Sequence, residues 1–437
     1  MSRVRTTSTA LLTDHYELTM VQAAIRAGTA DRRSVFELFP RRLPTGRRYG
    51  VVAGVGRALD AFERFVFDDE VLGVLAEHDV VDETTLEWLS TYRFSGDIWG
   101  YPEGEMYFPY SPLMIVESTF AEAVVLETLL LSILNHDSAI ASAASRMTWA
   151  ANDRPCIEMG SRRTHEEAAV AAARAAYLAG FATTSNLAAR QRYGVPTAGT
   201  SAHSFTLLHD TERDAFTAQV ETLGRGTSLL VDTYDITEAV RLAVEIAGPE
   251  LGAVRIDSGD LGVLATQVRQ QLDTLGATKT RIIVTSDLDE YSIAALAACP
   301  VDGYGVGTSL VTGSGHPTSG FVYKLVARED HTGELISVAK KSKDKISIGG
   351  RKYALRRRNE QGVAEAEVIG IGQPPEDDGN DRALLVPLVR AGEVVGREDL
   401  ATSRARHLSC REELPMRARQ LSRGEPVIPT EHLDGTL

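Results

Sequence analysis

From residue 227 onward the chain alternates short, nearly unbroken apolar runs with amphipathic helical segments. The run SLLV ends at Asp232 and a helical pattern follows to Gly248. AVRI ends at Asp257, with a helix to Gly276; RIIVTS ends at Asp287, with a helix to Cys299; GYGVG ends at Thr308. Strand starts recur roughly every 22 to 28 residues, the length of one βα unit. The runs are continuous rather than alternating, as expected of parallel strands covered on both faces. Each also ends in polar or glycine-rich residues: Asp232-Thr233-Tyr234-Asp235, Asp257-Ser258-Gly259-Asp260, Ser286-Asp287 and Gly305-Val306-Gly307-Thr308. Polar groups at successive strand ends suit the active face of a β/α barrel. An open doubly wound sheet would carry them in the same place; the barrel is the reading we take first.

Elsewhere the pattern is mixed. Residues 71–90 read as one helix, and residues 97–110 (DIWGYPEGEMYFPY) as strands with turns. Thr119 and Glu122 form a T-x-x-E capping box that opens an apolar helix through Leu134. Thr164 and Glu167 form a second box, whose alanine-rich helix stops at Gly180. After Phe321 the period changes. Residues 340–358 are rich in Lys and Arg around a Gly349-Gly350 turn, residues 376–383 make an acidic loop, and residues 397–423 read as a charged helix.

A length of 437 residues implies two to three domains at about 150 residues each. With 43% apolar and 24% charged residues, the chain can build a core, which excludes disordered and collagen-like classes. The formal charge of −14 argues against nucleic acid and anionic membrane as partners. An anionic ligand then needs a local pocket of Arg, Lys and backbone N–H groups. Cys156, Cys299 and Cys410 are far apart and lack a CxxC partner. A structural zinc site is therefore not expected, and the odd count suits a reducing compartment. The first 20 residues lack the apolar core of a signal peptide, and residues 121–134, interrupted by Glu122 and Glu127, are too short and charged to span a bilayer. The expected location is the cytoplasm.

Several residues could carry chemistry. Gly305-Val306-Gly307-Thr308 directly follows a strand; such a loop is either a tight turn or a cradle whose N–H groups and Thr308 hydroxyl meet a phosphate. Arg255 lies two residues before Asp257, so both point the same way from their strand. They make either a structural ion pair or an arginine fork aimed at a carboxylate or phosphate. His203, in Gly199-Thr200-Ser201-Ala202-His203-Ser204, is either a satisfied structural histidine or a proton or phosphoryl acceptor working near neutrality. Arg162 and Arg163, just before a capped helix, are either solvated charges or an anion site. Tyr16, by pattern alone, is an aromatic in an N-terminal helix. His15, His165 and His209 offer no HxH or HExxH spacing, so no catalytic metal site built from these histidines is expected.

Seven segments taken together resemble the nicotinate phosphoribosyltransferase family. They are LLTDHYELTM (residues 11–20), EMGSRR (158–163), GFATTSN (180–186), GTSAHS (199–204), VRIDSGDL (254–261), TSDLDE (285–290) and GVGTSL (305–310). Residues 339–356 also resemble the family's Lys-rich region. Two departures stand out: Gly349-Gly350 replaces a Pro-Gly turn, and Thr183-Thr184-Ser185-Asn186 replaces a GTSN motif. The resemblance implies an α/β fold: an irregular β/α barrel with a second α/β domain built from N- and C-terminal segments. The expected division is an N-terminal α/β domain (residues 1–118), the barrel (119–325), and a C-terminal segment (326–437) that completes the first domain.

The implied reaction converts nicotinate and phosphoribosyl pyrophosphate, with ATP hydrolysis, to nicotinate mononucleotide and pyrophosphate, in NAD salvage. The implied groups are ATP as co-substrate and Mg²⁺ with the pyrophosphate. His203 matches the histidine phosphorylated by ATP; Thr200 and Arg255 match nicotinate-binding positions. Tyr16 matches an aromatic stacked on the pyridine ring, able to reach a neighbouring subunit's pocket in a homodimer. Thr308 matches a phosphoribosyl pyrophosphate contact, and Arg162, Asp257 and Gly307 are further candidates for lining the pocket. In the related nicotinamide enzymes an Asp stands where this chain has Ser185, and an acid there would repel a carboxylate substrate. Quinolinate phosphoribosyltransferases would need a denser basic pocket. A non-catalytic barrel that binds phosphate ligands is the alternative from another class. An aldolase-type barrel would want a strand lysine, and the four βα strands carry none.

Overall fold

The computed structural model describes residues 7–340 and 347–433. Much of the Lys-rich run, at 341–346, and the first six residues of the N-terminal segment lie outside the described residues. The chain divides into two compact units, one formed by residues 1–139 and 318–437 and the other by residues 140–317.

The second unit is an α/β structure built on a six-stranded sheet. In spatial order its strands are Thr183–Thr184, Cys156–Glu158, Gly303–Val306, Arg281–Val284, Ala253–Ile256 and Ser228–Leu230, all parallel. The expected βα alternation is present: helices Ile236–Ala247, Leu261–Thr274 and Glu290–Ala295 join the last four strands in sequence. Leu229, Val254, Ile256, Ile282, Val284 and Val306 are buried, which is why these strands read as continuous apolar runs. Burying each such side chain contributes about 1.5–3 kcal/mol. The alanine-rich helix Glu166–Leu178 is buried over most of its surface. Among the described residues no ladder joins the edge strands Thr183–Thr184 and Ser228–Leu230, so the sheet is a parallel half-barrel.

The first unit interleaves the two ends of the chain. Its seven-stranded antiparallel sheet runs Leu335–Ser337, Phe321–Glu329, Arg33–Pro40, Met114–Thr119, Asp97–Gly100, Val386–Arg390, Glu393–Val394. A four-stranded sheet holds Arg382–Ala383, Lys352–Arg358, Ala364–Ile371 and Thr430–Leu433. At the base of the Lys-rich region Gly350 has φ +90, and a side chain on Gly349 would collide with Ser337 Oγ, so both turn positions require glycine.

Four expected helices differ. The charged segment 397–423 is helical only over Leu400–Glu413, with Ser403, His407 and Cys410 buried, and Pro415 separates it from the short turn Met416–Arg419. Residues 71–90 form two helices, Asp69–Glu77 and Glu83–Ser90, because Asp79 adopts φ 49 and Asp82 caps a new start. The second capping box is replaced: His165, not Thr164, is the N-cap of Glu166–Leu178, its Nδ1 accepting from Glu167 N at 3.2 Å. Thr119 does cap a helix, Phe120–Val124, but the following helix Glu127–Ala151 runs far past Leu134. Buried polar residues, including Asp137, Ser138, Ser142 and Arg146, interrupt its apolar pattern and hid its length. By length and composition 120–151 could cross a bilayer, correcting the expectation that it is too short. It is a core helix: Leu126, Leu129, Ala141, Ala144 and Met147 are fully buried. All three cysteines are free thiols.

Candidate active site

Parallel strands place all their C-terminal ends on one edge of a sheet. In this chain that edge collects Glu158, Thr184, Asp232, Asp257, Thr285 and Gly307 from six adjacent strands.

His203 opens the helix His203–Leu208. Its Nδ1 lies 3.1 Å from Thr233 Oγ1. Its Nε2 lies 3.9 Å from both Asp232 Oδ1 and Asp257 Oδ2. The ring is 40% exposed while Asp232 is 1% exposed, so one buried and one open carboxylate flank an accessible imidazole. Asp232 Oδ2 accepts from Asp257 N at 3.0 Å and from Ser258 Oγ at 2.7 Å. Its Oδ1 is buried with no hydrogen-bond partner among the described residues. A buried acceptor without a partner costs about 1–3 kcal/mol, which favours a proton, cation or donor arriving between Asp232 and His203. Asp257 Oδ1 accepts from Thr285 Oγ1, which fixes the second carboxylate.

Arg255 reaches the same place from the neighbouring strand. Its Nη1 donates to Thr200 Oγ1 at 3.2 Å and its Nη2 to Ser201 O at 3.0 Å, while Nε has no partner among the described residues. No ion pair within 4 Å engages it among the described residues, so the structural Arg255–Asp257 pair does not form. Burial lowers its pKa from the usual arginine value; Asp257 and Asp232 oppose this and Arg162 adds to it. The group stays cationic, half-dry and short of an anion.

The other end of the edge is more tightly tied. Glu158 is buried, and its carboxylate accepts from Gly160 N and Thr184 Oγ1; burial pushes its pKa up. Asn186 N donates to Thr184 Oγ1 at 2.9 Å, and Asn186 Nδ2 to Ser161 Oγ at 3.1 Å. A Cβ on Gly160 would collide with Val311 and sit 3.0 Å from Gly307 O, so the loop after Glu158 needs a glycine to lie against the Gly307 loop. Arg162, Gly307 and Thr308 follow from these two loops, with Arg162 and Thr308 exposed. Ser286, between the Asp257 and Gly307 strand ends, has φ 127, a strained conformation for a residue with a side chain.

The edge therefore gathers His203, Thr200, Arg255 and Asp257 around one point, with Arg162, Gly307 and Thr308 along the same rim. Tyr16 belongs to the first unit, on the helix His15–Arg26, where it is 44% exposed. Sequence reasoning missed Asp232, Thr233 and Thr285 as partners of His203 and Asp257. A signal was present, since Asp232 ends its strand as Asp257 does. It also missed Glu158, whose role is to hold two loops.

Two family models match: the nicotinate phosphoribosyltransferase N-terminal domain over residues 11–135 and the nicotinate phosphoribosyltransferase family over residues 155–365. The chain belongs to the nicotinate phosphoribosyltransferase family. It is 58% identical over 429 residues to nicotinate phosphoribosyltransferase pncB1 of Mycobacterium tuberculosis, covering 96% of this chain and 94% of the relative. It is 38% identical over 394 residues to nicotinate phosphoribosyltransferase of Bacillus subtilis, covering 87% of this chain and 80% of the relative. The crystal structure of human nicotinic acid phosphoribosyltransferase superposes with a TM-score of 0.81 at 26% identity, covering 97% of this chain and 98% of that one. A nicotinate-nucleotide pyrophosphorylase from Pyrococcus furiosus shares the fold, with a TM-score of 0.75 at 23% identity over 94% of this chain and 99% of that one. Family membership thus covers both units and includes every strand end at the site.

Proposed function

We propose that this chain is a nicotinate phosphoribosyltransferase acting in NAD salvage in the cytoplasm. It joins the pyridine nitrogen of nicotinate to C1 of phosphoribosyl pyrophosphate as pyrophosphate leaves, and couples this to hydrolysis of ATP to ADP and phosphate. The observation that carries the substrate choice is Arg255: a half-dry guanidinium, aimed by Thr200 and Ser201 and lacking an anion. A planar carboxylate supplies two acceptors in the geometry such a fork prefers. Ser185 adds to it. Its N–H donates to Glu158 O at 2.9 Å and its side chain carries no charge to repel an acid. The nearby Glu158 carboxylate is already engaged on both oxygens.

Breaking the ribosyl–pyrophosphate bond develops positive charge on the sugar and negative charge on the leaving group. Gly307, Thr308 and Arg162 offer backbone and cationic partners for the phosphates, and Tyr16 stacks on the pyridine ring, from a neighbouring subunit of a homodimer. Asp232 and Asp257 present hard oxygen donors, one of them buried without a partner, which suits a divalent cation that keeps several waters. Bound there, Mg²⁺ would neutralise pyrophosphate charge. His203, flanked by these carboxylates and Thr233, accepts the phosphoryl group of ATP. The added anion beside Arg255 and Arg162 reorganises the basic loops and tightens substrate binding, and hydrolysis resets them. The fold reading that accompanies this function is an irregular β/α barrel.

Competition among nicotinate, nicotinamide and quinolinate for a limiting amount of phosphoribosyl pyrophosphate tests the reading. Nicotinate mononucleotide should dominate the products; preference for nicotinamide, or no product at all, contradicts it.

A further inference from the structure

The segment Thr13-Asp14-His15-Tyr16-Glu17 contains a second acid next to the tyrosine, and its placement is unusual. Glu17 is fully buried, yet it forms no ion pair among the described residues. A buried carboxylate is costly unless hydrogen bonds replace its water. Here they do. Glu17 accepts from Thr13 Oγ1, from Thr128 Oγ1, and from Thr128 N at 3.0 Å. Thr128 stands in the first turn of the 25-residue helix Glu127–Ala151, where backbone N–H groups lack partners within the helix and its dipole favours negative charge. Glu17 therefore caps that helix from a segment 111 residues away in sequence. Thr13 Oγ1 also meets Val125 O at 3.0 Å, a further tie between the two segments.

The adjacent residue feels the adjacent acid. Burial and the neighbouring Glu127 carboxylate push the Tyr16 hydroxyl's pKa up to about 12, and Lys324 Nζ approaches that carboxylate at 3.7 Å. Glu17 thus hydrogen-bonds Thr128 while its neighbour Tyr16 senses the charge of the adjacent Glu127. A tyrosine serving only the core would be buried, and one serving only as surface would need no anchor. Tyr16 combines an exposed ring with a backbone fixed by the adjacent Glu17, the arrangement of a side chain ordered before its partner arrives.

We propose that Glu17 is a positioning residue for Tyr16: by capping the long helix it fixes the first turn of the N-terminal helix and holds the tyrosine ring ready for the pyridine substrate. This rests on the reading that Tyr16 touches that substrate. The test compares full-length wild type, Tyr16→Leu, Glu17→Gln, Thr128→Ala and the double variant Tyr16→Leu/Glu17→Gln in steady-state kinetics and thermal melts.

Glu17→Gln keeps the shape and weakens the cap. It should raise KM for nicotinate about three- to tenfold, with kcat and KM for phosphoribosyl pyrophosphate within about twofold. Thr128→Ala should do the same more weakly, so the proposal stays testable if Glu17→Gln folds poorly. The double variant should be no worse for nicotinate than Tyr16→Leu alone, because the two act through one ring. If Tyr16→Leu raises KM for nicotinate and neither cap variant does, Glu17 is merely structural and the proposal is overturned. It is overturned equally if the cap variants lower melting temperature and degrade all kinetic constants together. If Tyr16→Leu itself leaves KM for nicotinate unchanged, the reading of Tyr16 as a substrate contact fails, and the positioning role fails with it.

Discussion

Charged residues are treated in opposite ways in the two units. In the first unit Arg356, 1% exposed, lies 3.0 Å from Glu367 and 3.6 Å from Glu105, and Glu105 is also bound by Arg382. Arg382 continues to Glu413 at 2.7 Å, which Arg358 meets at 3.3 Å. Glu37 and Lys352 form another buried pair. Each charge in these groups has an opposite charge beside it. At the edge of the parallel sheet, among the described residues, Arg255 has no acid within 4 Å, and Asp232 and Asp257 have no lysine or arginine within 4 Å, only His203 at 3.9 Å. The difference separates charges that hold the chain together from charges left short of partners. The second kind costs folding free energy, which a ligand can return on binding.

That contrast can be broken most forcefully at Arg356. Replacing it with Met leaves Glu105 and Glu367 buried beside each other without their shared cation. We expect a loss of about 3–5 kcal/mol in urea unfolding. A loss below about 1 kcal/mol would mean that the network is not what stabilises the first unit.

Arg255→Ala should behave in the opposite way. Unfolding free energy should change by less than about 1 kcal/mol, because no ion pair is lost. The value of kcat/KM for nicotinate should fall roughly 30- to 150-fold, about 2–3 kcal/mol of transition-state binding. Arg255→Lys should recover only part of this, since a lysine cannot form the planar fork. A large stability loss with normal nicotinate kinetics would place Arg255 with the structural charges.

A smaller effect separates two acids inside the buried network. Burial pushes the Glu105 carboxyl up, but Arg382 and Arg356 outweigh it and hold the pKa below the ordinary value. For Glu367 burial prevails over Arg356 and the pKa is raised. The stabilisation from Glu105 is therefore present above the ordinary carboxylate pKa of about 4.3 and fades as pH falls through its depressed folded value. That from Glu367 is present below the ordinary value and is lost as pH rises through its raised one. Glu105→Gln should then destabilise more than Glu367→Gln at pH 7, by about 1–2 kcal/mol. The gap should narrow as urea melts are repeated toward pH 4; a constant gap would show that charge is not the cause.

Sequence patterning reveals the sheet edge better than it reveals the buried network. Four strands of the second unit are legible because both faces are covered, so their residues are almost all apolar and the polar residue that ends each run marks the edge. Arg255 stands out for the same reason, as a charge inside such a run. Asp232 is harder to single out, because only the fold shows that one of its oxygens is satisfied by Asp257 N and Ser258 while the other is not. The helix through Arg146 escapes because its buried polar residues resemble a surface. Glu17 escapes because its partner, Thr128, lies in a distant segment that sequence spacing cannot connect to it.

The phosphoryl-acceptor role of His203 is tested most directly by mass detection of phosphate on the protein after incubation with ATP and Mg²⁺. One phosphoryl group should appear on His203, lost on standing in acid and absent from His203→Ala, whose turnover should no longer respond to ATP. Phosphate on another residue, or undiminished ATP stimulation in His203→Ala, would contradict it.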